Sequence, residues 1–384
     1  MRPLSVAVAC ALTLAPLAFA LQDAGNSQVT AYIKTLEMIG TQGTGSQEAQ
    51  KAWKEISQLP PSNLVQVIAA LDHQKPVFAN YIRSAVWAIV QNSQKNNKPI
   101  PTQQVRAFLK DSKQNPSARG LAMEVLKSLD GEWLASEIPG FLADSAPELR
   151  REAVAYWISE AENFSKEKKA EDAKATYKKA LAKASDKDQV DKIAKQLKGL
   201  GENVDLGSHF GFVRKWNLIG PFDNTKGVGF KTKYLPEESV KLDASLEGKE
   251  KEKLKWVSHQ TEDPYGLVDL NKALGKKKDS VAYAYTRIES PNPAKVYLRA
   301  GCITALKVFV NGKQVFAREE YHHGMSMDQH AAVIHLDKGV NDLLIKICQN
   351  NQTESWAQKW EFQVRLTDEA GVRVPYSIAM EGGK

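Results

Sequence analysis

Apolar positions recur at helical spacing from about Asn26 to Gly201 and at strand spacing after that. In the first half, Ser62-Asn63 supplies a helix start before the apolar face of Leu64, Val65, Val67 and Ile68. Three later segments share a pattern: Lys75-Pro76-Val77 leads to Ala85, Asn115-Pro116-Ser117 to Ala122, and Ala146-Pro147-Glu148 to Ala153. Proline at the first helical position loses nothing, because its missing N–H has no partner inside the helix. Arg83, Arg119 and Arg150 each precede the small alanine by a few residues, and the prolines are spaced by 40 and 31 residues. That spacing is in the range of two-helix repeats, with an irregular helical bundle as the alternative. Leu149, Ala153, Tyr156 and Trp157 form one apolar stripe, and Ala170, Ala173, Tyr177, Ala180, Leu181 and Ala184 form another. A last helix through Gln189–Leu197 ends at Gly199 and Gly201.

The period then falls from 3.6 to 2. Strands are predicted at Phe212–Leu218, Leu254–His259, Ala282–Ile288, Lys295–Arg299, Leu306–Val310, Val315–Arg318, Ala332–Leu336, Asp342–Cys348 and Lys359–Leu366. Between two of them stands Asn311-Gly312, which favours a type I′ hairpin because both residues tolerate positive φ. Leu343, Ile345 and Ile347 should share one strand face, as should Trp360, Phe362, Val364 and Leu366. Lys226–Gly229 and Glu247–Lys253 read as exposed loops, the second a solvated charge run.

The N-terminus changes where this chain is expected to act. Arg2, the apolar run Leu4–Phe19 and Ala18-Phe19-Ala20 fit a cleaved signal peptide over residues 1–20, and so a secreted or periplasmic protein. Cys10 sits in mid-run without the residue pattern of a lipidation site. No later segment reaches about 18 consecutive apolar residues, so no transmembrane segment is expected. The remaining 360 or so residues exceed one usual core, giving a helical repeat domain at 21–201, a linker at 202–211 and a β-sandwich domain at 212–384. The net charge of +7 is spread over lysine-rich surfaces, with no basic run interleaved with aromatics, so nucleic acid is not an expected partner. Outside the leader only Cys302 and Cys348 remain: a disulfide is one reading, two buried thiols the other.

Several stretches resemble known families. Asp144-Ser145-Ala146-Pro147-Glu148-Leu149-Arg150-Arg151-Glu152-Ala153 resembles a HEAT repeat, and residues 160–200 resemble the second half of a tetratricopeptide unit with a capping helix. In the β half, Trp216-Asn217-Leu218-Ile219-Gly220-Pro221-Phe222, Trp256, Gly266-Leu267-Val268-Asp269-Leu270, Val281-Ala282-Tyr283-Ala284-Tyr285, Val308-Phe309-Val310-Asn311-Gly312-Lys313, residues 335–346 and Trp360–Leu366 come in an order resembling galactose-binding-like β-sandwich (jelly-roll) domains. This second resemblance covers roughly residues 210–368, and the pairing with helical repeats is similar to exported proteins of planctomycete-type bacteria. It implies a carbohydrate-binding or packing module. Calcium is common in such sandwiches, but no acidic set in this chain is dense enough to assign it.

Candidate chemistry concentrates in Tyr321-His322-His323-Gly324-Met325-Ser326-Met327-Asp328-Gln329-His330, with His335 nearby. His322, His323 and His330 suit a transition metal, and the same loop could face a ligand or simply be solvated. Trp356 beside Asn350, Asn351, Gln352 and Glu354 has the composition of a sugar platform, and Tyr321 and His322 are expected at the same end of the sandwich. The ligand-binding candidates are therefore Tyr321, His322, His323, Asn351 and Trp356, while Trp256 and Trp360 read as core. No phosphate loop, HExxH or GxSxG is present, and no catalytic residue is assigned. Glu237-Glu238 and Glu319-Glu320 are adjacent pairs that would diverge on a strand. The reading is an exported, non-catalytic binding or scaffold protein, its repeats for a protein partner and its sandwich for a carbohydrate or for domain packing. The alternatives are a carbohydrate-active hydrolase or its accessory subunit, and a structural component of a cell-envelope assembly.

Overall fold

The structure is a computed structural model that describes residues 27–72 and 75–379; the expected leader over 1–20, with Cys10, lies outside the described residues. The chain divides between Leu200 and Gly201 into two compact units, the first helical and the second built on antiparallel sheets. No described helix is long and apolar enough to cross a membrane.

The helical unit runs α1 (27–37), α2 (Ser46–Ser57), α3 (Leu64–Ala69), α4 (Pro76–Lys95), α5 (Thr102–Lys110), α6 (Pro116–Leu129), α7 (Gly131–Glu137), α8 (Pro147–Lys166), α9 (Ala170–Leu181) and α10 (Lys187–Gly199). Pro76, Pro116 and Pro147 each open a helix, as their fixed φ and absent N–H favour. Asn115 caps α6, its Oδ1 accepting from the N–H of Ser117 at 2.9 Å. The recurring arginines differ in burial. Arg83 is a half-exposed partner of Glu124, whereas Arg119 is 1% exposed and grips Asp144 through two bonds of 2.7 Å. Arg150, also buried, donates to the carbonyl of Asp144 and to Ser185. Such cations are tolerated inside because both guanidinium groups are hydrogen-bonded, Arg119 also to the Leu109 carbonyl.

The second unit contains α11 (Leu206–Phe210), β1 (Lys215–Asp223), α12 (Val228–Lys231), β2 (Leu246–Glu247), β3 (Lys253–Leu254), β4 (Val257–Gln260), β5 (Val268–Asp269), α13 (Leu270–Leu274), β6 (Ser280–Ser290), β7 (Ala294–Cys302), β8 (Ala305–Val310), β9 (Lys313–Arg318), β10 (His330–Leu336), β11 (Gly339–Gln349), β12 (Glu361–Thr367) and β13 (Ser377–Ile378). One sheet has the order β4-β1-β6-β11-β8-β9, with β13 beside β6; the other is β10-β7-β12-β5. Residues from both sheets share one core, in which Leu343, Ile345 and Ile347 of β11 meet Phe362, Val364 and Leu366 of β12 beside Trp360. The hairpin at Asn311-Gly312 forms with φ of 49° and 74°, the pair of positive values a type I′ turn needs.

Two expected loops are partly structured. The charge run at 247–253 is framed by the β2–β3 ribbon, because Leu246 and Leu254 at its ends are buried. Residues 226–229 lead into α12, whose Phe230 is buried with Phe222, Tyr283 and Leu254 on the outer face of the larger sheet. The disulfide is not formed. Cys302 points into the core between the sheets, while Cys348, on the alternate side of its strand, faces the outer cluster, so the larger sheet separates the two thiols.

Candidate functional site

At one end of the two sheets the segments after β9, β11 and β1 come together, because antiparallel pairing brings the end of β1, the start of β6 and the end of β11 level. Asn224, directly after β1, is fully buried and ties these segments: its Nδ2 donates to Tyr321 Oη (3.1 Å) and to the carbonyl of Gln349 (3.0 Å). Tyr321 is thereby a scaffold residue, and burial pushes its phenol up to about 12.

His322 comes next, with φ of 55°. That left-handed conformation costs a non-glycine residue about 1–2 kcal/mol and persists only where neighbours impose it. Here Asn350 does so: His322 Nε2 donates to its Oδ1 at 2.5 Å, an oxygen that also accepts from the N–H of Gln352. The proton on Nε2 leaves Nδ1 as an acceptor, which is buried and meets no hydrogen-bond partner among the described residues. The His322 ring stands nearly perpendicular to Trp356, with centroids 5.7 Å apart. Trp356 itself is 57% exposed. It is forced outward because its neighbour Ala357 is buried, with the Ala357 carbonyl held by Lys278 Nζ at 2.7 Å. Asn351 is exposed on the same loop.

His323 and His330 form a second, adjoining group. Their rings lie 5.9 Å apart, Gln329 Nε2 donates to His323 Nδ1, and Phe316 stacks on His330 at 5.1 Å. Burial lowers the pKa of both His322 and His330, favouring their neutral forms. No group of three His, Cys, Asp or Glu positioned to hold a metal occurs among the described residues, His322, His323 and His330 included. Asp328, in the same loop, is engaged by Arg365 through two short bonds and approached by Arg299 at 3.6 Å. Trp360 is fully buried and Trp256 partly so, as core residues are.

The structure therefore brings Tyr321, His322 and Trp356 together and leaves His323 to one side. The sequence reading missed Asn224, which is 97 residues from Tyr321, and Lys278, which is 79 residues from Ala357. Only strand order could have joined them.

No family model and no curated protein matches the chain. Among solved structures it is similar to the β-glucuronidase from Ruminococcus gnavus, at 15% identity and a TM-score of 0.25 over 41% of this chain and 28% of that one. The same enzyme in complex with D-glucuronic acid gives 15% identity and a TM-score of 0.24, so this chain spans only 29% of the matched structure's length.

Proposed function

We propose that this is an exported, non-catalytic binding protein. In this reading the leader over 1–20 directs export, the helical unit is a repeat array of HEAT and tetratricopeptide type that meets a protein partner, and the β unit is a galactose-binding-like jelly roll that holds a carbohydrate. The observation that carries it is the exposed Trp356 ring set against His322, whose imidazole is fixed by Asn350 and keeps an unused acceptor. An apolar ring covers the C–H side of a sugar, and amide and imidazole groups beside it fix hydroxyls. Glycan-array binding followed by tryptophan-fluorescence titration tests this. Trp356→Ala and His322→Ala should each weaken binding at least tenfold while leaving the melting curve within a few degrees. A chain that binds no glycan, or whose Trp356→Ala variant binds as well as wild type, removes the proposal.

A further inference from the structure

The outer face of the larger sheet carries chemistry that the Trp356 end does not use. Strand register sets it out in rows: Lys346 lies between Tyr283 and Lys307, Leu344 between Tyr285 and Phe309, and Asp342 opposite Arg287. The segment 222–256 covers the first row and stops over the second, where a turn at Leu235–Glu237 brings Glu237 inward. Past that edge a cavity of about 360 Å³ opens. This volume lies within the roughly 300–1,000 Å³ of small-molecule sites. Glu237 and Glu238, expected to diverge, both line it, because a helical turn rather than a strand carries them.

Hydrogen bonds and ion pairs brace the walls of the cavity. Asn311 of the hairpin exchanges bonds with Asp342: its N–H donates to the Asp342 carbonyl at 2.9 Å, and its Oδ1 accepts from the Asp342 N–H at 2.8 Å. The same turn places Gly312 at the rim. Glu237 Oε1 is pinned by Lys346 Nζ at 2.7 Å and by the Tyr283 hydroxyl at 2.5 Å. Across the cavity, Tyr285 Oη donates to Asp342 at 2.6 Å and Arg287 lies 3.4 Å from the same carboxylate. Phe309 and Leu344, both buried, form an apolar floor.

Its charges cancel in pairs: Glu237 with Lys346, Asp342 with Arg287, and Glu238 with Lys233 at 3.7 Å. A charged ligand would have to break one of these pairs, whereas carboxylates and a guanidinium already in place accept from and donate to hydroxyl groups. We propose that this cavity is a second ligand site, independent of the Trp356 end, that takes one neutral ring bearing several hydroxyls, a monosaccharide or a cyclic polyol.

Saturation-transfer NMR on the full chain carrying Trp356→Ala, which disables the first site, tests it, using glucose, galactose, fucose, N-acetylglucosamine and myo-inositol, with galacturonate and spermidine as charged probes. At least one neutral ring should show transfer and the charged probes none. Ser239→Phe, which fills the mouth from an exposed position, should abolish the signal, and Arg287→Ala should weaken binding at least tenfold. In that background, silence from every neutral ring, a preference for a charged probe, or survival of the signal when Ser239→Phe is added each overturns the proposal.

Discussion

Replacing Glu237 by alanine strands an ammonium group in an apolar layer. Lys346 is wholly buried and the Glu237 side chain is 7% exposed. With Glu237 gone, Lys346 keeps one hydrogen bond, to the Thr232 carbonyl at 2.6 Å, and the faces of Tyr234 and Tyr283. Removing one member of a buried pair costs about 3–5 kcal/mol. A ceiling comes from the alternative open to the lysine, which is to lose its proton. At pH 7 that costs about 1.36 kcal/mol for each of the roughly 3.4 units below its unfolded pKa, or about 4.6 kcal/mol. Burial already lowers the Lys346 pKa, so the neutral form is within reach. The sign follows: the variant's folded state holds a neutral Lys346 and its unfolded state a protonated one, so its stability rises with pH. The deficit against wild type should shrink by about 1.4 kcal/mol per pH unit between pH 7 and 9. Urea unfolding followed by near-ultraviolet circular dichroism measures it. Lys346→Met in the same background should restore most of the loss and flatten the pH dependence. A deficit below about 1 kcal/mol that ignores pH would refute the reasoning, since a buried, unpaired ammonium cannot be that cheap.

Three further outcomes are expected. His322 and His330 should titrate below the usual imidazole value by NMR, because burial lowers both, so their contribution to stability is present above about pH 6.5 and is lost as pH falls through the folded values. His322→Gln should remove the accompanying step in Trp356 fluorescence, and a titration at or above the ordinary value would refute the placement. Arg119→Ala should destabilise the helical unit by about 3–5 kcal/mol in denaturant titrations, since Asp144 and the Leu109 carbonyl both lose a buried donor. Arg119→Lys should recover less than half, because an ammonium cannot reproduce a two-pronged contact. Cys302 and Cys348, pushed by burial up to about 11 and about 12, should resist thiol reagents at pH 8 in the folded chain and react in urea.

Local rules made much of the fold legible in the chain. Asn311-Gly312 announces its hairpin because only two residues decide the turn, and Pro76, Pro116 and Pro147 announce helix starts for the same reason. The alternation through Trp360, Phe362, Val364 and Leu366 fixes one inner face without reference to any other strand. Proximity of His322 and Trp356 was legible at one remove, since both loops follow strands that run the same way to one end. Lys346 was not. It occupies the outward position of a strand whose inner face is apolar, where a lysine normally reaches water, and its partner Glu237 is 109 residues away. Nor was the inward turn of Glu237, because a Glu-Glu pair followed by serine looks solvated until the cover it belongs to is placed.

The two faces of the larger sheet divide the work along the period of the strand. Ala282, Ala284, Ile345 and Ile347 face the other sheet, where a pair of apolar residues is as good as any other that fills the space. Tyr283, Lys346, Arg287 and Asp342 alternate with them and face the cover and the cavity. On stability alone the outer face had a simpler solution, because an apolar pair in place of Lys346 and Glu237 would avoid the desolvation of two charges. What the apolar pair could not supply is a carboxylate locked in one orientation at a cavity wall. Glu237, Lys346, Asp342 and Arg287, each held by a ladder strand or a buried partner, lose little freedom when a ligand arrives. That is the physical reason to read the outer face as a recognition surface and the inner face as the source of stability.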